Sequence, residues 1–183
     1  MRIYFSGAHS VGKSTLVKYT SQKYKLPMVT EVARMVLSEK ELQLDSLRYD
    51  MNLVDEYQFQ IFYRQLVEEA KYSSFVSDRS AIDSLAYSAQ HTRILTQLLA
   101  SVELKSYLPI LRIPDSIVFF VRPSKATLRA DGVRESINWD GAVAIDAQIK
   151  VFYEMFEVRY FEINTDSMQS RIRLIDAVLS LQK

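Results

Sequence analysis

Apolar runs bounded by polar clusters alternate along this chain with longer stretches whose apolar residues recur at helical spacing. Residues 1–6 predict an opening strand, followed by a helix over Lys13–Tyr24. Residues 26–30 predict a short second strand, 40–47 a connection, and 49–72 a long helix with Leu53, Tyr57, Ile61, Phe62 and Leu66 near the helical period. Residues 74–78 form the third expected strand, and Ile82, Leu85, Ala86 and Ala89 mark a helix directly after it. A further helix is expected over 92–108, ended by Pro109 and Pro114, since proline lacks an N–H and restricts the residue before it.

The strongest strand signal is Ser116–Val121, an unbroken apolar run of the kind found in parallel strands covered on both faces. Ile145, Ile149, Phe152 and Phe156 follow at helical spacing, and Trp139 ahead of them is expected to anchor in the core. Residues 160–163 give a fifth strand. Met168, Ile172, Ile175 and Leu179 give a closing helix, with Asp166 or Ser167 as its N-cap. Strands alternating with helices predict a doubly wound α/β domain with a parallel sheet, whose ligands bind beyond the carboxyl ends of the strands.

Composition narrows the class. With 183 residues, 48% of them hydrophobic, the chain suits one globular domain over 1–183. The 23 basic and 22 acidic residues nearly cancel, which leaves no global electrostatic footprint for nucleic acid or membrane, although a local basic groove stays open. The absence of cysteine rules out disulfides and cysteine metal sites. No apolar run approaches the roughly 18 residues of a spanning helix. With no room for a signal peptide ahead of the first motif, a cytoplasmic enzyme is expected. The oligomeric state is left open, a dimer included.

The chemistry begins at the first strand-to-helix junction. Gly7-Ala8-His9-Ser10-Val11-Gly12-Lys13-Ser14 satisfies G-x-x-x-x-G-K-[ST], and Thr15 continues into the helix. Gly7 and Gly12 permit backbone angles that turn successive N–H groups around a phosphate, while the helix presents its unbonded N-terminal donors to the same anion. Lys13 then reaches the β- and γ-phosphates of ATP and Ser14 offers a hydroxyl to Mg²⁺. Glu31 ends the second strand, and Asp78 and Arg79 end the third. In a parallel sheet these converge on the edge that carries the loop. One carboxylate can accept a proton from an attacking hydroxyl, another can hold Mg²⁺, and the arginine can neutralise phosphoryl charge. Plainer roles are a solvated helix-start residue for Glu31 and a structural ion pair for Asp78 and Arg79.

Glu31, the Asp78-Arg79-Ser80 triplet and the intervening Tyr57-Gln58-Phe59-Gln60-Ile61-Phe62-Tyr63-Arg64 resemble the deoxynucleoside kinase and thymidylate kinase group of P-loop kinases. The P-loop, Glu31-Val32-Ala33-Arg34 and Asp131-Gly132-Val133-Arg134 are also similar to the nicotinamide riboside kinase-like family, relatives described as small AAA-type ATPase or kinase domains. The resemblance implies a P-loop NTPase fold with a five-stranded parallel sheet, helices on both faces and a small lid. It implies ATP- and Mg²⁺-dependent transfer to a nucleoside, nucleotide or nicotinamide riboside. Glu31 then matches the general base, and Arg34, Gln60 and Arg79 fall on the acceptor side. Asp78 stands where a glutamate is common. Residues 124–137 resemble the lid, with Arg129 and Arg134 as its arginines, and Asn164-Thr165-Asp166 takes the place of an adenine contact. A polynucleotide acceptor, such as a 5′-hydroxyl end or a hydroxymethylated base in viral DNA, would demand the same machinery. A regulatory NTPase would need only the loop.

Overall fold

The computed structural model describes residues 1–39, 50–124 and 139–181. Five strands form one parallel sheet: β1 (Arg2–Ser6), β2 (Met28–Val29), β3 (Phe75–Asp78), β4 (Ser116–Val121) and β5 (Phe161–Ile163), in the order β2-β3-β1-β4-β5. The helices among the described residues are α1 (Lys13–Tyr24), α2 (Val32–Glu39), α3 (Met51–Ala70), α4 (Ala81–His91), α5 (Leu95–Ala100), α6 (Val102–Arg112), α7 (Trp139–Met155) and α8 (Met168–Ser180). The chain steps from β1 outward to β2 and then back across the sheet. Right-handed crossovers therefore place α1 on one face and α3, α4, α6 and α7 on the other, and the closing α8 packs beside α1. Tyr19, Lys23 and Tyr24 of α1 all bond the Asp176 carboxylate of α8, which ties the first face together.

Covered on both faces, the central strands β1, β3 and β4 are almost wholly buried, as the continuous apolar run at 116–121 predicts. The β1 residues Ile3 and Phe5 face α1, whereas Tyr4 faces α3. In register across the sheet, Phe5 stacks on Phe119 at 5.3 Å, and Phe119 meets Phe161 in a tilted pair at 5.9 Å. The edge strand β2 makes only two residues of the expected five-residue pairing.

Two expectations along the chain are corrected. The helix expected over 92–108 is broken at Ser101, whose hydroxyl accepts the Leu104 N–H at 3.2 Å and caps a separate α6. That helix then continues through Pro109 to Arg112. Pro109 lies on the exposed side with Lys105, so the Lys105 carbonyl that loses its N–H partner is free to bond water. Trp139 is the first residue of α7 and 36% exposed, at the margin of the row Ala142, Ile145, Ile149 and Phe152 that packs on the sheet. The helix α2 was not expected as an element, though Val32, Ala33, Val36 and Leu37 carry its spacing and pack on Tyr57 and Ile61 of α3. The connection expected at 40–47 lies outside the described residues.

A buried acid joins three elements. The Glu69 carboxylate on α3 accepts from Tyr4 of β1 at 3.1 Å, from Tyr107 of α6 at 3.1 Å and from Gln65 at 2.8 Å. Burial pushes its pKa up to about 8. Because the folded pKa lies above the ordinary 4.5, the folded chain holds this proton more tightly than the unfolded one. The Glu69 contribution to stability is thus complete below about pH 4.5 and is lost as pH rises to about 8. Urea unfolding of Glu69→Gln, which keeps the shape and cannot ionise, should show the variant gaining on the parent across that interval. Parallel profiles would show that Glu69 titrates normally.

Candidate active site

The chain leaves β1 at Ser6 and turns through residues 7–12 into α1, directly above the carboxyl ends of the central strands. Gly7 has φ +139°, and a Cβ there would stand 2.3 Å from the Val121 carbonyl oxygen, so β4 admits only glycine. Ser10 and Gly12 also have positive φ, 57° and 90°. The N–H groups of Ser10, Val11 and Gly12 make no hydrogen bond among the described residues. A concave run of unsatisfied donors at a helix N-terminus is an anion site in waiting.

The root of the loop is fixed by Asp83, a wholly buried residue in the first turn of α4. Its Oδ1 accepts from the Ser6 hydroxyl at 2.9 Å and the Gly7 N–H at 3.0 Å. Its Oδ2 accepts from the Ser80 N–H at 2.9 Å and the Ser80 hydroxyl at 3.0 Å, and that hydroxyl also meets Tyr153 at 2.8 Å. Sequence reading passed over Asp83, although Ser80-x-x-Asp83 is a helix-capping pattern that would have found it. It passed over Tyr87 as well. The Tyr87 hydroxyl accepts the His9 N–H at 3.2 Å and meets His9 Nδ1 at 2.9 Å, while its ring lies 5.0 Å from the Arg79 guanidinium.

Lys13 is buried and folds its ammonium onto the Ala8 carbonyl inside the loop. Burial, with the positive charge of Arg79 added, lowers its pKa to about 7. Ser14 stands one residue on, and its hydroxyl donates to Asp78 Oδ2 at 2.6 Å. The hydroxyl and the carboxylate are both hard oxygen donors, the ligand type Mg²⁺ takes beside phosphate oxygens and water. Among the described residues no cluster of three or more His, Asp or Glu forms an all-protein cage. Thr15 is exposed beside it.

Arg79 is the hub of a second group of side chains beside the loop. Its Nη1 donates to the Gly7 carbonyl at 3.0 Å, and its Nη2 lies 3.5 Å from Glu31 Oε1. Glu31 Oε2 in turn accepts from Arg34 Nε at 2.8 Å, so one carboxylate sits between two guanidinium groups. Burial disfavours charge on Arg79, but Tyr87 and the carboxylates of Glu31, Asp83 and Asp78 outweigh it and raise its pKa. Arg79 adopts φ 87°, a conformation that costs a side-chain-bearing residue about 1–3 kcal/mol and is found where function demands it.

The structure thus brings Lys13, Ser14, Glu31, Arg34, Asp78 and Arg79 together at one edge. Gln60 is not among them. The α3 row that faces the sheet is Gln58, Phe62, Gln65 and Glu69, and Gln65 donates to the Arg79 carbonyl at 3.3 Å. Gln58 lies two turns nearer the start of α3, about 10 Å along the helix axis from Gln65. It is buried, with its carbonyl oxygen unbonded. Gln60 points about 160° away round the helix and is half-exposed. Asn164, Thr165 and Asp166 follow β5 on the opposite flank of the loop, where Thr165 is tied to α8 through Arg171. Arg129 and Arg134, with the lid expected at 124–137, lie outside the described residues but for its first position.

The profile of a family described as an AAA domain matches residues 2–171. The chain belongs to this AAA-domain family. Among solved structures it is similar to the NadR protein in complex with NAD and AMP-PNP, at 15% identity and a TM-score of 0.72. That match covers 97% of this chain and 48% of the other. The chain therefore spans about half the length of the NadR protein it matches. It is similar also to the deoxyadenosine kinase of M. mycoides with bound dCTP, at 16% identity, a TM-score of 0.72 and coverage of 98% and 99%. Shikimate kinase from Aquifex aeolicus matches at 14% identity and a TM-score of 0.56 over 100% of this chain and 96% of the other. No curated protein matches the chain. The AAA-domain chain thus has the fold of the P-loop kinases that its sequence resembles, and none of its described helices is long and apolar enough to cross a membrane.

Crowding at the two glycines differs, which gives a test. At Gly12 an added Cβ would meet only side-chain atoms, Arg171 Nη1 at 3.3 Å and the Met168 methyl at 3.6 Å, whereas at Gly7 it meets backbone at 2.3 Å. Gly7→Ala should lower unfolding stability by about 2–4 kcal/mol and Gly12→Ala by clearly less, as read by urea denaturation. Equal losses would mean that β4 yields to the loop.

Proposed function

We propose that this chain is an ATP- and Mg²⁺-dependent kinase that transfers the γ-phosphoryl group to a hydroxyl of a nucleoside, nucleotide or nicotinamide riboside. The observation that carries this reading is the bond path from the loop to a second carboxylate, Gly7 carbonyl to Arg79 to Glu31. A protein that only binds or hydrolyses nucleotide needs the loop and a metal pair. An arginine that spans from the phosphate cradle to a carboxylate beyond it is arranged for two reactants. The NadR and deoxyadenosine kinase relatives, solved with NR in one structure and dCTP in another, agree with this class of acceptor.

The donor phosphates lie in the N–H groups of Ser10, Val11 and Gly12, with Lys13 leaving the Ala8 carbonyl to reach them. Ser14 and Asp78 would hold Mg²⁺, which when bound would supply charge neutralisation for the donor phosphates. Glu31 exchanges an arginine contact for the acceptor hydroxyl and takes its proton, and the released guanidinium of Arg79 meets the transferring phosphoryl group. The bond from Ser14 to Asp78 favours Asp78 at the metal end and Glu31 as the base. Gln58, buried with its carbonyl oxygen unbonded, carries the amide donors and acceptor that would complement a planar amide or amidine edge on a base. The lid arginines Arg129 and Arg134, a cytoplasmic location and a single domain over 1–183 belong to the same proposal.

Labelled ATP offered with nucleosides, nucleoside monophosphates, nicotinamide riboside and DNA oligonucleotides tests the acceptor class. A label recovered only as inorganic phosphate would make this a hydrolase. With the acceptor in hand, Glu31→Gln should lose about 10²- to 10⁴-fold in turnover with donor affinity nearly unchanged. Asp78→Asn should instead shift the Mg²⁺ requirement. Normal turnover in Glu31→Gln beside a dead, metal-insensitive Asp78→Asn would transfer the base to Asp78.

A further inference from the structure

By volume, the largest side chain shielded entirely from solvent among the described residues is a charged one, Arg171 of α8. Its Nη1 donates to the Val11 carbonyl at 2.6 Å and its Nε to the Thr165 carbonyl at 2.6 Å. Its Nη2 is buried without a hydrogen-bond partner. It makes no ion pair among the described residues. Asp166 supports its charge, but burial outweighs that support and lowers its pKa. An unpaired buried cation is strongly unfavourable unless an anion comes to it.

The geometry says where that anion belongs. Arg171 Nη1 would stand 3.3 Å from a Cβ placed on Gly12, so the guanidinium lies directly behind the last turn of the phosphate loop. Carbonyl and N–H point opposite ways across a trans peptide. No cis peptide occurs among the described residues, so the Val11 carbonyl drawn back onto Arg171 aims the Gly12 N–H forward into the loop. The second bond, to Thr165, fixes the β5–α8 segment to the same guanidinium. Ser14, Asp78, Glu31 and Arg79 mark the γ-phosphate end on the β2–β3 side, which leaves the β4–β5 side for the rest of the donor.

We infer that Arg171 is a positioning residue for the donor nucleotide: it aims the Gly12 N–H at the phosphates, and its buried charge is compensated when the phosphate chain enters on the far side of the same peptide. This rests on the phosphate-binding part of the function proposed above and not on the acceptor.

Calorimetric titration of the whole chain with Mg²⁺ and the non-hydrolysable donor AMP-PNP tests it. Arg171→Gln keeps an amide NH₂ that can donate and loses the charge, and should weaken binding about tenfold, the scale of one charge acting through a partly dry interior. Arg171→Lys keeps the charge and should bind within about threefold of the parent, whatever either change does to the melting temperature. A purely structural role would not be rescued by lysine in binding while leaving glutamine defective. Binding by the Gln variant within about twofold of the parent, or a Lys variant as weak as the Gln one, overturns the inference. In the unaltered protein the Arg171 Nε–H resonance should shift on addition of Mg²⁺ and AMP-PNP and stay in place with adenosine; no shift with AMP-PNP overturns it without any variant needing to fold. A parent chain that binds no AMP-PNP at all would instead sink the phosphate-loop reading, a separate result.

Discussion

The site depends on one carboxylate that never meets solvent. Asp83 takes the Ser6 hydroxyl and the Gly7 N–H on one oxygen and both Ser80 donors on the other, joining the end of β1 to the start of α4. Four donors satisfy this buried carboxyl group, since each hydrogen bond replaces water that burial removed. With the root of the loop held there, its remaining N–H groups cannot satisfy themselves by collapsing onto the sheet. They stay available to an anion.

From that anchor the site is built outward by charge. Arg79 lies 3.9 Å from Asp83, bonds the Gly7 carbonyl and reaches Glu31, and it does so from a left-handed backbone at the end of β3. The strain is sustained because its surroundings overdetermine it. Its N–H is bonded to the Phe5 carbonyl, its own carbonyl to Gln65, and its guanidinium rests over Tyr87. The opposite side of the loop is governed by Arg171, so the phosphate cradle is held between two buried guanidinium groups, one on each side of β1. The two guanidinium groups thereby flank the loop from separate halves of a single sheet edge.

Much of this was legible in the chain. The phosphate loop follows from eight consecutive residues because its function is carried by local backbone angles and a helix start, which sequence encodes directly. Strand-and-helix alternation gave the parallel sheet. The placing of Glu31, Asp78 and Arg79 at strand ends then followed from the parallel geometry, since every strand exposes its carboxyl end on the same edge. Local reading failed at Pro109, which an exposed helix face tolerates, and at Trp139, whose side of α7 is set by what the helix packs against.

By itself, then, the sequence determined the fold class, the loop and the carboxylates and arginine that end the strands. Only the tertiary structure decided that Gln58 of α3 is buried while Gln60 is half-exposed, and that Asp83, Tyr87 and Arg171 support the loop. The reason is distance along the chain. Gly7 and Asp83 are separated by 76 positions and Val11 and Arg171 by 160, and no local pattern records a contact that exists only once the sheet has brought both ends to one edge.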